Sequence, residues 1–432
     1  MSLKRNISMR QGVVLAIGMV LGSGLFGLPG LAIEQGGADA ALMGWFLMAL
    51  IMSPMLYVFI VLGRAYPQAD GLTQYAQVAI AGAQLDSSKG RMAKGAVSVL
   101  LAGTFALGIP ASIWVAASYV LHAFGVESQT ARAALTAVFL LAATLMNLRG
   151  VTVLAKVNAV SLYILLGVVG LLIFGNLDTL RVAATHVVNW HVSDFSTQSL
   201  WAVMALLFWA FLGWENMSFG LGELREPQRN IPRVYAWSFI CVIALYIALG
   251  LVMSGAAWQG RAVAGESGLL ALFQTPWLRF VLGITMGMMI ISSQNAWIFG
   301  ASRMLYSAAN EGFFPKSWAQ LNDAQMPARA LWLLFGAFAM SLLILAAQWM
   351  SVAQMMTLVS QNFMVLYAVS LLAYWRIIAR QPTVVAVLMG LVASASCVFL
   401  LQGFTWWLLF PVLLLIVGGW LGYDKQMKVS VK

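Results

Sequence analysis

The sequence predicts an all-α membrane protein with about twelve transmembrane helices, and two observations carry this prediction. Of its 432 residues, 62% are hydrophobic and only 9% are charged, whereas soluble domains carry about 25% charged residues. Apolar runs of roughly 20 residues, the length that crosses a bilayer as a helix, recur along the chain. The short alternating segments typical of a membrane β-barrel do not occur in this sequence. The runs lie near 12–33, 40–63, 95–122, 131–148, 153–175, 199–222, 234–255, 277–306, 330–348, 352–374, 382–401 and 404–423.

The net charge of +10 follows from the expected membrane topology. With the N-terminus in the cytoplasm, the cytoplasmic segments hold 20 of the 24 Lys and Arg residues. The outer segments hold the other four, Arg132, Arg181, Arg261 and Arg279. Positive residues concentrate in cytoplasmic loops, so both termini are expected in the cytoplasm. The basic excess therefore indicates topology, and no nucleic-acid partner is expected.

The first apolar run contains three glycines in six residues, in the segment GSGLFG at 22–27. Each glycine costs about 1 kcal/mol relative to alanine inside a helix. The segment is therefore either a small-residue packing face or a break in the span. Backbone groups freed by a break must be buried in protein or line a polar cavity. A break would also expose a helix N-terminus, which binds anions such as a carboxylate.

Polar residues inside the apolar runs concentrate in spans 1, 6, 8 and 10. Span 6 contains FWAFLGWEN at 208–216, span 8 contains SSQN at 292–295, and span 10 contains Gln361 and Asn362. Spans 1 and 6 are five apart, as expected for two inverted repeats of five helices with one broken helix in each.

The domain organisation follows from this arrangement. We expect one transmembrane domain over residues 1–423 and a cytoplasmic tail at 424–432. The two repeats would cover 10–175 and 199–374, and two extra C-terminal helices would occupy 382–423.

Three segments give the sequence its resemblance to a known family. GSGLFG at 22–27 resembles the glycine-rich first span of the amino acid–polyamine–organocation (APC) transporters. The segment 208–233 is similar to their sixth span and the loop after it, and 295–316 is similar to the end of their eighth span. The three segments occur in the family's order and spacing, and the similarity covers essentially the whole chain. Within the superfamily, the sequence resembles bacterial amino acid permeases, and methionine and branched-chain amino acid exporters in particular.

The resemblance implies a LeuT-type fold in a bacterial inner membrane, with substrate held at the breaks of helices 1 and 6. The family pattern places the substrate carboxylate on backbone N–H groups around Ser23, Gly24 and Leu25. It places the substrate amino group on carbonyl groups from Ala210 to Gly213. One position departs from the family. Some proton-coupled relatives carry a lysine in span 5, and this chain has Leu165 there, so that lysine's role as a proton carrier is not available.

Four aromatic residues near the two breaks are candidate walls of the substrate pocket. An apolar wall with few polar groups fits a neutral, apolar side chain. Tryptophan is also common at membrane interfaces, so packing against lipid is the alternative for some of these residues. The four candidates are Phe26, Trp209, Phe211 and Trp214.

Glu215 is the only carboxylate that the hydropathy pattern places inside a span. A charge exposed at the bilayer centre costs about 2.5–3.5 kcal/mol on insertion scales. The carboxyl group is therefore expected to be protonated, or to face water or a partner. It is a candidate for proton coupling or for a gate that senses substrate. The alternative is a neutral acid that is hydrogen-bonded to the freed backbone of span 6.

The polar residues of spans 8 and 10 are further candidates for coupling or gating. Ser292 and Ser293 could bind Na⁺ together with carbonyl groups of span 1, because oxygen ligands suit a hard cation. Asn295 and Asn362 could line the pocket or a gate. Hydrogen bonds between helices are the alternative for all four residues.

These features together predict a secondary active transporter of neutral, apolar amino acids that works by alternating access, with proton-coupled efflux as the expected mode. Proton- or sodium-coupled uptake or exchange, including cationic substrates, is the alternative, and an amino acid receptor that moves nothing is an alternative of another class. No catalytic group, metal site or cofactor is expected besides an ion gradient. The expected partners are the amino acid and the lipid bilayer, and the oligomeric state is open.

Overall fold

The computed structural model describes residues 7–67, 71–149, 151–191, 196–219 and 221–430. Within these residues the secondary structure is helical, apart from one isolated backbone bridge between Ile7 and Leu224. The helices are α1 (Met9–Val20), α2 (Ser23–Ala65), α3 (Gly71–Ala81), α4 (Ser88–Ala123), α5 (Gln129–Leu148), α6 (Val151–Phe174), α7 (Leu177–Val188), α8 (Thr197–Leu207), α9 (Pro227–Trp258), α10 (Pro276–Asn310), α11 (Ala328–Ala346), α12 (Val352–Ile378), α13 (Val384–Leu401) and α14 (Leu409–Ser430).

The predicted all-α membrane architecture is confirmed. Nine helices among the described residues are long and apolar enough to cross a membrane, and the bent pair Tyr163–Phe174 and Leu177–Val188 would make ten. The range α2 covers two helical segments that meet at a kink at Gly37, where φ is +81°. The first segment is the end of predicted span 1, and the second is predicted span 2. The count of twelve spans stays a prediction.

Hydroxyl side chains define where several helices begin. Ser8 and Ser351 each form a capping box, in which the serine accepts from the backbone N–H three residues on and that residue's glutamine side chain bonds back. Ser87 and Ser128 cap α4 and α5 through the serine side chain alone, which accepts from the backbone N–H three residues on. These bonds satisfy N–H groups that have no partner inside the helix.

The long helix α4 lies at the centre of the packing. It contacts α10 and α14 along much of its length, and it also packs against α3, α5, α11 and α12. Gly95 of α4 faces Gly418 of α14 so closely that a Cβ placed on Gly95 would lie 2.5 Å from the carbonyl oxygen of Gly418. On the other side of the molecule, α2 packs against α8 and α9.

The two ends of the helix bundle are named here by their position. The terminal face is the end where α1 begins, and there the Ile7 N–H donates to the Glu223 carbonyl at 2.9 Å. The helix α9 begins at this face and ends at the opposite one, the distal face, where the Trp258 indole donates to Asp39. The loop 259–275 between α9 and α10 therefore lies at the distal face.

A candidate substrate site at two helix breaks

The predicted break in span 1 is present, and it lies between α1 and α2. The helix α1 ends at Val20, Leu21 is extended, and α2 begins at Ser23. The Leu25 N–H donates to the Gly22 carbonyl at 3.1 Å. The N–H groups of Ser23 and Gly24 have no acceptor inside their own helix, because no preceding turn exists. These N–H groups carry the positive end of the helix dipole, so the break can hold an anionic group.

The predicted break in span 6 is also present. The helix α8 ends at Leu207 and continues as a single 3₁₀ turn over Phe208–Phe211. Leu212 is then extended, and Gly213 has φ +123°, a conformation that L-residues with a side chain rarely adopt. Short 3₁₀ segments follow at Asn216–Phe219 and Leu221–Glu223.

The two breaks lie in direct contact. A Cβ placed on Gly24 would lie 3.0 Å from Ala210 Cα, and one placed on Gly213 would lie 2.7 Å from the Met19 carbonyl oxygen. Glycine therefore allows the two main chains to approach at both points. The freed N–H groups of α2 and the freed carbonyl groups of span 6 consequently line the same small region.

Two polar side chains join the breaks to α4. The Trp209 indole N–H donates to Ser23 Oγ at 3.2 Å, and Ser23 Oγ lies 2.8 Å from Ser112 Oγ on α4. The far edge of the same indole reaches Gly108, where a Cβ would lie 3.2 Å from the ring. Trp209 thus lies across the site, between the first break and α4.

Tyrosine hydroxyl groups satisfy carbonyl groups that the breaks leave free. Tyr246 of α9 donates to the Ala210 carbonyl at 2.8 Å, and Tyr235 donates to the Trp214 carbonyl at 3.1 Å. Tyr119 of α4 donates to the Phe26 carbonyl at 2.8 Å. None of these tyrosines was predicted. A carbonyl oxygen has two lone pairs, so Ala210 can still accept a second hydrogen bond.

Glu215 is fully buried at the second break. Its Oε1 accepts from the Gly213 N–H at 2.8 Å, and its Oε2 accepts from the Tyr367 hydroxyl of α12 at 2.8 Å. Its backbone carbonyl accepts a hydrogen bond from Ser218. Among the described residues it has no Lys or Arg within ion-pair distance. The side chain therefore closes the break in span 6 and links it to α12.

A cavity of about 50 Å³ lies beside the two breaks. Ser23, Thr104 and Gln294 are the lining residues with polar side chains, and most of the others have apolar side chains. The lining consists of Met19, Val20, Gly22, Ser23, Gly24, Thr104, Phe105, Gly108, Ile109, Trp209, Leu212, Gln294, Trp297, Val359 and Phe363.

Three of the predicted substrate-binding residues, Ser23, Gly24 and Trp209, line this cavity. The other six are buried close to the breaks but do not contribute to its wall: Leu25, Phe26, Ala210, Phe211, Gly213 and Trp214. Ala210 and Gly213 instead form the contact between the two main chains. Residues of α4, α10 and α12 supply most of the remaining wall.

Of the predicted coupling residues of spans 8 and 10, Ser292, Asn295 and Asn362 are buried, whereas Ser293 is partly exposed. Ser293 Oγ lies where it would meet a Cβ on Gly22 at 2.9 Å, and Ser292 is its buried neighbour on α10. Asn295 accepts from the Asn147 side chain of α5, with both its carbonyl and its side-chain oxygen 3.4 Å away. These two helices are thereby joined next to the site.

Asn362 does not line the cavity itself but bonds to a residue that does. Its Nδ2 donates to Thr104 Oγ1 at 3.1 Å, and Thr104 itself lines the cavity. The Asn362 Oδ1 atom and the Oε1 atom of its neighbour Gln361 are buried without a hydrogen-bond partner in the described structure. This part of α12 therefore retains unused hydrogen-bonding capacity close to the site.

Comparison with known proteins agrees with this geometry. The chain is 26% identical to the L-methionine/branched-chain amino acid exporter YjeH of Escherichia coli K12, over 98% of this chain and 97% of that protein. It is 26% identical to the uncharacterized amino acid permease YecA of Bacillus subtilis 168, over 96% of this chain and 95% of that one. It is 24% identical to the putrescine transporter PotE of Haemophilus influenzae, over 76% and 74%. The model of the amino acid permease family matches residues 7–427. With two broken helices meeting at a buried cavity, the chain belongs to the amino acid permease family, within the APC superfamily.

Proposed function

We propose that this protein is a secondary active transporter of neutral, apolar amino acids, coupled to protons and working in the direction of efflux by alternating access. The observation that carries the proposal is the contact between the two helix breaks beside a cavity with mostly apolar walls. The start of α2 offers N–H groups to a carboxylate, and the carbonyl groups of span 6 can accept from an ammonium group. The similarity to a methionine and branched-chain amino acid exporter supports the same substrate class.

The size of the cavity bears on how the substrate would bind. Ligand pockets commonly enclose roughly 300–1,000 Å³, whereas this cavity has about 50 Å³. Substrate therefore requires the surrounding side chains to move apart. Trp209 is the side chain best placed to move, because it bridges Ser23 and Gly108 across the site. In this proposal the terminal face is cytoplasmic, as the distribution of Lys and Arg predicts.

Glu215 is the proposed proton-coupling group. It is the buried carboxyl group at the break, and its two oxygens bond to Gly213 and to Tyr367 of α12. Protonation would turn one of these two oxygens into a donor while the other still accepts, so it would force one of the two bonds to rearrange. Protonation and the arrangement of the second break are thereby linked.

The test is transport by purified protein in liposomes. Labelled methionine, leucine, arginine and putrescine are followed with and without a pH gradient, and with and without a Na⁺ gradient. We expect methionine or leucine to move in response to the pH gradient, and Glu215→Gln to abolish that response. Glu226→Gln is the matched control, because it makes the same chemical change on an exposed side chain.

Other results would redirect the assignment. Movement that requires Na⁺ but ignores pH would shift the coupling site to Ser292 and Ser293. Movement of arginine or putrescine alone would contradict the proposed substrate class. Binding of an amino acid without movement of any compound tested would contradict transport and favour a receptor.

A further inference from the structure

The distal loop, defined as residues 259–275 between α9 and α10, is attached to α2 just after the first break. The Gly265 N–H donates to the Gly30 carbonyl at 3.1 Å. The approach is so close that a Cβ placed on Gly30 would lie 2.1 Å from the Gly265 carbonyl oxygen. Gly265 has φ +94°, which favours glycine. This part of the loop therefore moves with the first half of α2.

The next residue attaches the same loop to different helices. Glu266 Oε2 accepts from Ser118 Oγ of α4 at 2.8 Å and from Arg132 Nη1 of α5 at 3.0 Å. Glu266 Oε1 accepts from the Trp114 indole of α4 at 3.3 Å. The Arg132 guanidinium also lies over the Trp114 ring, 5.7 Å from its centre. One carboxylate thus connects the loop to α4 and α5 through three donors.

Partial burial makes the ion pair between Glu266 and Arg132 stronger than an ion pair at an open surface. The side chains of Glu266 and Arg132 are only 17% and 25% exposed, so water screens their attraction less than at an open surface. Charge-assisted hydrogen bonds are also stronger than those between neutral groups. Glu34 of α2 reaches the same loop, with Oε2 3.9 Å from a Cβ placed on Gly265. Without Arg132, two neighbouring carboxylates would repel each other there.

We propose that Glu266 and Arg132 form a latch that holds the distal side of the transporter closed, and that opening towards the distal face requires this pair to separate. The proposal rests on the alternating-access function proposed above. The reason is geometric: Gly265 and Glu266 are adjacent, and one is bound to α2 while the other is bound to α4 and α5. The two helix groups cannot part at the distal face while both attachments hold.

Val115 offers a direct readout of distal opening. It lies on α4 between Ser112, which bonds to Ser23, and Ser118 at the latch. It is fully buried and would meet a Cβ on Gly27 of α2 at 3.0 Å. A cysteine at this position becomes accessible only when α2 and α4 part. The background is Cys241→Ser, which removes the exposed native thiol and leaves the buried Cys397.

The experiment measures the rate at which a membrane-impermeant maleimide modifies Val115→Cys. Reagent added to intact expressing cells reaches the outer face, and reagent added to inverted membrane vesicles reaches the cytoplasmic face. We expect Glu266→Gln and Arg132→Gln each to raise the rate in cells about tenfold or more. The double variant should not exceed the larger single effect, because both changes remove one interaction. Ser118→Ala removes a single neutral donor and should give a smaller rise.

Arg261→Gln is the matched control. Arg261 lies in the distal loop, where it pairs with Asp178 of α7 at 2.6 Å and donates to the Leu272 carbonyl. None of the hydrogen bonds and ion pairs of its side chain in the described structure reaches α4 or α5. Arg261→Gln should leave the rate unchanged. Three results would contradict the latch. The first is a labelling rate that stays unchanged in both Glu266→Gln and Ser118→Ala. The second is an acceleration in Arg261→Gln equal to that in Glu266→Gln, and the third is an acceleration of equal size in cells and in inverted vesicles. The labelling assay needs no substrate. If the protein labels as predicted but moves no amino acid, the transport proposal is contradicted and the latch is not.

Discussion

Gly24 of the first break packs directly on the main chain of Ala210 in the second, and a larger side chain at Gly24 would require that main chain to shift. A Cβ on Gly24 would lie 3.0 Å from Ala210 Cα and 3.3 Å from Trp209 Cδ1. This is tighter than ordinary van der Waals contact, and backbone cannot give way as a flexible side chain can. The spacing of the two breaks is therefore set at this point.

Gly24→Ala is expected to weaken substrate binding by about tenfold or more, because the added methyl group separates the two main chains that hold the substrate. The measurement is the affinity of purified protein for labelled methionine or leucine. Gly18→Ala in α1 is the control, since nothing lies within 4 Å of a Cβ there. An affinity equal to wild type in Gly24→Ala would show that the contact does not position substrate.

Gly213→Ala is expected to destabilise the folded protein. Its φ of +123° costs a residue with a side chain about 1–3 kcal/mol, and the new Cβ would also lie 2.7 Å from the Met19 carbonyl oxygen. Gly260→Ala is the control for the cost of a positive φ, because Gly260 has φ +77° and open space around its Cβ position. Thermal unfolding in detergent should show a clearly larger loss for Gly213→Ala, and equal losses would mean that the contact with Met19 relaxes freely.

Tyr246→Phe is expected to reduce substrate affinity as well as stability. The hydroxyl group holds the Ala210 carbonyl at 2.8 Å, and losing one such bond costs about 1 kcal/mol. Tyr374→Phe removes a comparable bond to the Ala386 carbonyl of α13, which is not part of either break. It should lower the melting temperature by a similar amount while leaving affinity unchanged. A parallel loss of affinity in both variants would indicate general loosening instead of positioning by Tyr246.

Ile7→Pro is expected to loosen α1 at the terminal face. The change removes the N–H that donates to the Glu223 carbonyl and ties the start of α1 to the end of span 6. Ala16 on α1 is fully buried. A cysteine placed there, Ala16→Cys in the Cys241→Ser background, becomes accessible to maleimide when α1 loosens. Maleimide in inverted vesicles should label it roughly threefold to tenfold faster than in the parent. Ile7→Val keeps the bond and should label at the parent rate.

Much of the fold was predictable because its signals are local. Glycines inside an apolar run indicated either a packing face or a break in span 1, and the break lies between Val20 and Ser23. The five-span spacing and the family resemblance placed the second break in span 6, where Gly213 has φ +123°. Apolar length indicated the spans, and the kink at Gly37 separates the end of predicted span 1 from predicted span 2. In each case the residues that decide the structure are neighbours in the chain.

The wall of the cavity was less predictable because it depends on contacts between distant segments. Nothing near Gly108 or Thr104 in the chain indicates that α4 would face Trp209 and α12. The partner of Glu215 was equally hidden, since Tyr367 lies 152 residues away. Glu266 had no local signal at all, because its three donors come from two other helices.

The contact between α4 and α14 has a consequence for how this sequence can change over generations. A Cβ on Gly418 would lie 2.4 Å from the Gly95 carbonyl oxygen, and one on Gly422 would lie 2.7 Å from the Arg91 carbonyl oxygen. A side chain gained at Gly95, Gly418 or Gly422 collides with the main chain of the facing helix. Because the added carbon meets main chain, no substitution on the facing helix makes room for it, and these three positions are expected to stay glycine as the sequence diverges.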